Sequence, residues 1–425
     1  MHQLMIKDVR IVDPASGRDT VGDIFIEDGK IAEVGRIDGD KLADHVIDGS
    51  GLMALPGLVD MHVHLRDPGQ THKETLHTGA LAAAAGGVTS LLAMPNTAPA
   101  VDTPAVLEDI LERAAKEPVR IYQSACITKG LKGETPTDLS ALAAAGATAF
   151  TDDGRPVYNS RYMRDALVSA AALGRPVVSH CEDLELAGGG IMKEGPVSGI
   201  LGVRGIPNAA EDAAVAREVA LAASAGVPLH ICHVSTAVSL AVIRAAKRDG
   251  VQVTCETGPH YFWFTEEALL GRDADFRMNP PLGSAADKKA VIAALLDGTI
   301  DAIATDHAPH SPAEKADFEK APNGVVGMET SLAASYTALV KTGLMDMADL
   351  VRLMSLNPAR ILGIPGGTLA EGAPADLVLF DPEVRWTVEP DRLHGKSRNT
   401  PFKGMELTGK VRCTICRGQL VFQDK

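Results

Sequence analysis

Apolar and polar residues alternate through the first stretch of the chain, at Ile6, Val9 and Ile11, then Ile24 and Ile26, then Ile31 and Val34 after Asp28-Gly29. Such alternation marks half-buried strands, and Asp-Gly between two of them marks a hairpin. Similar runs return near the other end, at Asp376 to Phe380 and Val411 to Val421, separated by turn-rich pieces such as Glu371 to Pro374. Neither terminal piece holds enough strands for a core of its own, so residues 1–55 and 366–425 are expected to combine into one small discontinuous β-domain. Between them, over 56–365, short apolar strands alternate with Ala-rich helices that usually end in Gly, which is βα repetition. Candidate strands are Leu58 to Val63, Val88 to Ala93, Val119 to Ile127, Ala147 to Thr151, Val177 to Ser179, Leu229 to Cys232, Val251 to Glu256 and Ile300 to Thr305. Helix starts are readable at Asp102-Thr-Pro104 and at Ser284-Ala-Ala-Asp-Lys. The count of eight strands, and the lack of a Gly-x-Gly-x-x-Gly turn after the first, favour an α/β fold of the (β/α)8 TIM type over a doubly wound open sheet.

Composition narrows the function. With 425 residues, 45% of them hydrophobic, the chain can hold one large barrel and a minor appendage. A formal net charge of -14 argues against nucleic acid or an anionic membrane as partner and favours a small-molecule substrate. No apolar run reaches a membrane-spanning length, and the first residues, MHQLMIKDVRIVDP, lack a continuous apolar run after their basic positions, so a cytoplasmic location is expected. Cys126, Cys181, Cys232, Cys255, Cys413 and Cys416 sit in apolar contexts and read as reduced core thiols. Cys413-Thr-Ile-Cys416 has the spacing of half a zinc ribbon but no second pair.

In such a barrel reactive groups gather at the C-terminal ends of the strands. His62-Val-His64 closes the first candidate strand, Asp152-Asp153 the fourth, His180 the fifth, His233 the sixth and Asp306 the eighth. His62 and His64, two apart on an extended strand, face one side and can hold one ion together. A lone His-x-His is usually packing, and so is a lone strand histidine, but chance placement of all five sites is the weaker explanation. Asp60, deeper in the strand, reads as a buried structural carboxylate. His230 reads as packing, while His307 adjoins Asp306 and could orient it.

Pro56-Gly-Leu-Val-Asp60-Met-His62-Val-His64 with the later His, His and Asp resembles the amidohydrolase superfamily over nearly the whole chain. The motifs His64-Leu-Arg66-Asp-Pro-Gly69, Ala93-Met-Pro-Asn96-Thr, Phe150-Thr-Asp-Asp153-Gly, Asn279-Pro-Pro-Leu282 and Ala304-Thr-Asp306-His-Ala-Pro-His310 narrow the resemblance to the class I dihydroorotases. It implies reversible cyclisation of N-carbamoyl-L-aspartate to L-dihydroorotate, a step of pyrimidine biosynthesis, at a zinc centre. Many relatives bridge two metals with a carbamylated lysine on strand four. This strand has none; in the class I dihydroorotases that it resembles an aspartate takes the bridge, and the family's spacing to the next histidine matches Asp153, leaving Asp152 a structural hydrogen bond. The implied ligand set is His62, His64, Asp153, His180, His233 and Asp306, holding one or two Zn2+, with two favoured. Zinc brings a bound water's pKa to about 7 and polarises the ring carbonyl. The resemblance makes Asp306 the proton carrier as well as a ligand.

Dihydroorotate carries a carboxylate that hydantoin and allantoin lack, and Arg66 can bind it bidentately. The alternative for Arg66 is a salt bridge to Asp67 or Glu74. By the family pattern Asn96 and His310 complete the carboxylate grip, and Asn279 with the Asn323-Gly324 backbone addresses the ring. The family commonly has an aromatic residue where Asn323 stands. The segment 311–323, charged and poor in apolar anchors, reads as a mobile lid or a plain loop. Rival readings are a hydantoinase or allantoinase, and a non-catalytic partner of aspartate transcarbamoylase. The family also suggests a homodimer or a complex with that transcarbamoylase.

Overall fold

The computed structural model describes residues 3–37 and 43–424, so 1, 2 and 38–42 of the N-terminal piece and 425 of the C-terminal piece lie outside the described residues. Two four-stranded parallel sheets form the centre. One joins Leu58–Val63, Val88–Ala93, Arg120–Ala125 and Ala149–Phe150, and the other Val178–Ser179, Leu229–Ile231, Val253–Thr257 and Ala302–Ile303. Parallel bridges from Phe150 to Val177 and from Val63 to His307 connect them, closing the (β/α)8 barrel expected from the repeat. In chain order these are barrel strands one to eight. Strands four, five and eight are shorter than the apolar runs that predict them: four lacks Ala147, Thr148 and Thr151, five lacks Val177, and eight lacks two residues at each end. Helices begin at the predicted starts: Thr103 precedes Pro104–Ala114, and the Ser284 hydroxyl accepts from Asp287 N at the start of Ala285–Leu296.

The terminal segments form a second sheet, in the order Gln419–Gln423, Glu406–Cys416, Leu377–Thr387, Met53–Pro56, Gln3–Asp13, Arg18–Glu27, Lys30–Gly35, with His45–Asp48 also paired to Gln3–Asp13. Asp28 (φ 49°) and Gly29 (φ 77°) make its hairpin, both with the positive φ a tight two-residue turn demands. Ile6, Ile11, Ile24, Ile26, Leu377, Leu379 and Ile415 fill the core of this sheet, separate from the barrel core around Leu58, Leu91, Phe150, Ile231 and Ile303. Full burial of such a side chain is worth about 1.5–3 kcal/mol, so each layer has its own source of stability. All six cysteines are free and buried; Cys413 packs in the terminal core, whereas Cys416 Sγ lies 3.6 Å from Thr89 O. Among the described residues no helix is long and apolar enough to cross a membrane.

One expectation is corrected. The segment 311–323 has anchors: Phe318 and Ala321 are buried, and the Lys315 ammonium donates to the carbonyls of Arg277 (3.2 Å), Pro322 (3.0 Å) and Gly324 (2.9 Å).

Candidate active site

The mouth of the barrel gathers the side chains singled out at the strand ends. His62 Nε2 and His64 Nε2 lie 3.3 and 3.4 Å from the two oxygens of Asp153, and Asp306 Oδ1 lies 3.6 and 3.1 Å from the same nitrogens. On the other side His180 Nδ1 is 3.7 Å from Asp153 Oδ1 and 2.9 Å from His233 Nε2. Besides a group of His62, Cys232 and Glu256, the described residues bring together at this mouth two groups that could hold a cation, His62 with His64 and Asp153, and Asp153 with His180 and His233. Asp153 belongs to both.

The chemistry of these donors fits divalent metal. His62 Nδ1 lies 3.0 Å from Glu256 Oε1, His64 Nδ1 2.8 Å from Asn96 Oδ1, and His180 Nε2 3.3 Å from Glu182 Oε2. With a cation bound, each contact would keep the ring proton on the outward nitrogen and leave the inward lone pair to the ion. His62 Nε2 and Asp153 Oδ1 are buried without a hydrogen-bond partner, a costly state for a polar group unless an ion satisfies it. Donors held about 2.0–2.1 Å from one ion at tetrahedral angles stand roughly 3.3 Å apart, within the spread of the separations above.

Electrostatics and strain agree. Burial opposes charge on Asp153, but His62, His64 and His180 outweigh it and hold the carboxyl well below the ordinary range. Asp306 is likewise lowered, against its burial, chiefly by the His64 hydrogen bond and the charge of His62. Burial, then the charges of His180 and His62, press His233 down to about 3, keeping that imidazole neutral. Arg66 (φ 60°), His233 (φ 34°) and Asp306 (φ 47°) all adopt left-handed backbone, which costs side-chain-bearing residues of order 1–3 kcal/mol and clusters at functional sites.

Above the cluster opens a cavity of about 370 Å3 lined by Arg66, Asn96, Asn279, His310, Asn323 and Gly324, with Gln70, Lys73, Gly154 and Ala308. Arg66 is 9% exposed, its Nε donating to Pro309 O at 3.2 Å. Neither acid offered as a salt-bridge partner takes it: Asp67 pairs with Arg113 at 2.7 Å, and Glu74 accepts from Lys396 N at 3.1 Å. Asn279 Nδ2 donates to Glu182 (2.9 Å), and Arg277 donates to Asn323 Oδ1 (3.1 Å), leaving Asn323 O to His310. Gly324 (φ 138°) is obligatory, since a Cβ there would stand 2.8 Å from Ala308 O and 2.9 Å from His310 Nε2.

Several functional side chains escaped sequence reasoning. Glu182 had a signal, two residues beyond His180 and so of the same strand parity. Glu256 had a fainter one, a lone acid in the apolar run of strand seven. His230 is corrected from packing: its Nε2 lies 3.3 Å from Glu256 Oε2 and its Nδ1 2.8 Å from Thr254 Oγ1, so it buttresses the carboxylate that orients His62. Lys73 and Gln70 lie in a loop with no periodicity to expose them. Asp60 accepts from Thr305 N (3.1 Å) and hydroxyl, and Asp152 from Ile127 N (2.7 Å) and Thr128 N (3.0 Å), the bonds a structural carboxylate requires. His307 Nδ1 accepts from Gly327 N (3.2 Å), and its Nε2 stands 3.6 Å from buried Glu74.

A closed (β/α)8 barrel with histidines and aspartates at its mouth defines a class of metal-dependent hydrolase, and the amidohydrolase family model matches residues 53–421. A dihydroorotase of Citrifermentans bemidjiense is 51% identical over 422 residues, 99% of each chain, and one of Pelotomaculum thermopropionicum is 49% identical over 424 residues, 100% of this chain and 99% of that one. Among solved structures, L-hydantoinase (dihydropyrimidinase) from Arthrobacter aurescens superposes with a TM-score of 0.90 at 27% identity, covering 100% of this chain and 96% of that one. The chain belongs to the amidohydrolase family and, within it, to the dihydroorotases.

Proposed function

We propose that this enzyme interconverts N-carbamoyl-L-aspartate and L-dihydroorotate in pyrimidine biosynthesis. The observation that carries the reading is a buried Arg66 beside His310 and Asn96, facing the cavity directly over the Asp153-centred cluster. A guanidinium there suits a ring bearing a carboxylate. His62, His64, Asp153, His180, His233 and Asp306 would hold the metal, read as zinc, with two ions sharing Asp153. Bound zinc supplies Lewis acidity toward water and the scissile carbonyl. Asp306 accepts the proton of the attacking water and returns it to the ring nitrogen as the C–N bond breaks; in cyclisation the same carboxylate works in reverse. Arg66, Asn96 and His310 fix the carboxylate, while Asn279 and the Asn323-Gly324 backbone orient the ring so that the scissile amide meets Asp306. Domain limits of 1–55 with 366–425 and of 56–365, a cytoplasmic location, and assembly as a homodimer or with aspartate transcarbamoylase complete the proposal. The test is the purified chain with Zn2+ and N-carbamoyl-L-aspartate: formation of dihydroorotate is expected, and its absence from metal-loaded, folded protein defeats the reading.

A further inference from the structure

We propose that Lys73 is a positioning residue for substrate binding, setting the tautomer of His310 so that its Nε2–H, held by Asn323 O, stands beside an Arg66 NH2 left free for a substrate carboxylate. This rests on the dihydroorotase reading and deepens it.

His310, 4% exposed, has three neighbours within hydrogen-bond reach of its two ring nitrogens, with Glu314 Oε2 farther off at 4.0 Å from Nδ1. Lys73 Nζ lies 3.3 Å from Nδ1, while Arg66 NH2 at 3.3 Å and Asn323 O at 2.9 Å both face Nε2. A neutral imidazole offers one donor and one acceptor, lysine and arginine only donate, and a carbonyl only accepts. With the proton on Nδ1, Lys73 would face a donor and the Asn323 carbonyl would face a bare lone pair. With the proton on Nε2, Lys73 donates to Nδ1 and Nε2–H donates to Asn323 O. Only the second arrangement satisfies two of the three contacts, and it leaves Arg66 NH2 beside an N–H rather than bonded to it. The Arg66 NH2 so released at the cavity wall matches an anion that accepts from it, while the Nε2–H of His310 stays with Asn323 O. Lys73 itself is 9% exposed and lines the same cavity. Glu314 Oε1, 3.0 Å from Nζ, aims the ammonium at the imidazole and at the same time ties the 311–323 segment to it. A purely structural Lys73–Glu314 pair would have no need of the second contact, to Nδ1.

The test uses the zinc-loaded enzyme, Lys73→Met and Lys73→Arg. Losing one charge-assisted hydrogen bond should raise KM for dihydroorotate, and the inhibition constant of orotate, roughly tenfold or more in Lys73→Met, with kcat and metal content within threefold of wild type. Arginine, also donor-only, should restore both constants to within threefold. Ring 15N shifts, with His310 assigned by its loss in His310→Asn, should show the wild-type proton on Nε2. An unchanged KM and orotate constant in Lys73→Met, or a wild-type proton on Nδ1, would overturn the proposal. A wild type that binds zinc but does not turn over dihydroorotate would instead defeat the dihydroorotase reading, and the 15N result would still judge Lys73.

Discussion

Replacing Glu256 by glutamine perturbs the metal centre without touching any of its six proposed ligands, His62, His64, Asp153, His180, His233 and Asp306. Glu256 is 1% exposed and accepts from His62 on one oxygen and His230 on the other, and these hydrogen bonds and charges take its pKa down to about 2 although burial pushes the other way. Glutamine keeps one acceptor but turns an NH2 toward one of the two imidazoles, so one partner must change tautomer or lose its bond. If His62 is that partner, its inward nitrogen carries the proton and is closed to metal. Disrupting an outer carboxylate–histidine contact typically weakens metal binding 10- to 100-fold, about 1.4–2.7 kcal/mol. Competition with a chromophoric chelator measures this directly, with circular dichroism to confirm the fold. Zinc affinity within twofold of wild type in a folded Glu256→Gln protein would refute the assignment of Glu256 as the group that orients His62.

Other outcomes follow from the same geometry. Arg66→Ala should raise KM for dihydroorotate at least tenfold, from loss of charge-assisted hydrogen bonds, while leaving metal content near wild type by elemental analysis. Gly324→Ala should cost of order 1–3 kcal/mol in denaturant unfolding and lower kcat/KM, because the new methyl collides with the Ala308 carbonyl and His310 from a positive φ. Burial holds the His260 pKa down to about 4 from 6.5. The unfolded chain therefore takes up this proton first as pH falls, and the stability tied to neutral His260 is whole above about pH 6.5 and is lost down to about pH 4. That displacement is worth about 3 kcal/mol, so the urea midpoint of wild type should drop more steeply over this range than that of His260→Gln; parallel curves would contradict it.

The architecture was legible because its signals are local. Leu58 to Val63 and Val88 to Ala93 are apolar runs flanked by Gly, and the structure has strands with those limits. Ser284 announces its helix by a side-chain cap hydrogen bond and Pro104 by its fixed φ at the first helical position. The histidines and aspartates of the centre were legible because the barrel turns a one-dimensional regularity, polar residues at strand ends, into a shared mouth. What escaped depends on contacts across the chain. His230 meets Glu256 26 residues away, and Lys73 meets His310 across 237, neither with a periodicity to mark it. The 311–323 segment looked unanchored because Lys315 and Phe318, one charged and one isolated, gain their partners only when the Arg277 loop packs beside them.

The most direct test of the central claim is steady-state turnover of L-dihydroorotate and of hydantoin by one preparation of known zinc content. A carboxylate grip at Arg66, Asn96 and His310 above a metal centre shared through Asp153 predicts zinc-dependent hydrolysis of dihydroorotate and little or none of hydantoin. Faster turnover of hydantoin, or dihydroorotate hydrolysis that survives complete removal of metal, would contradict it.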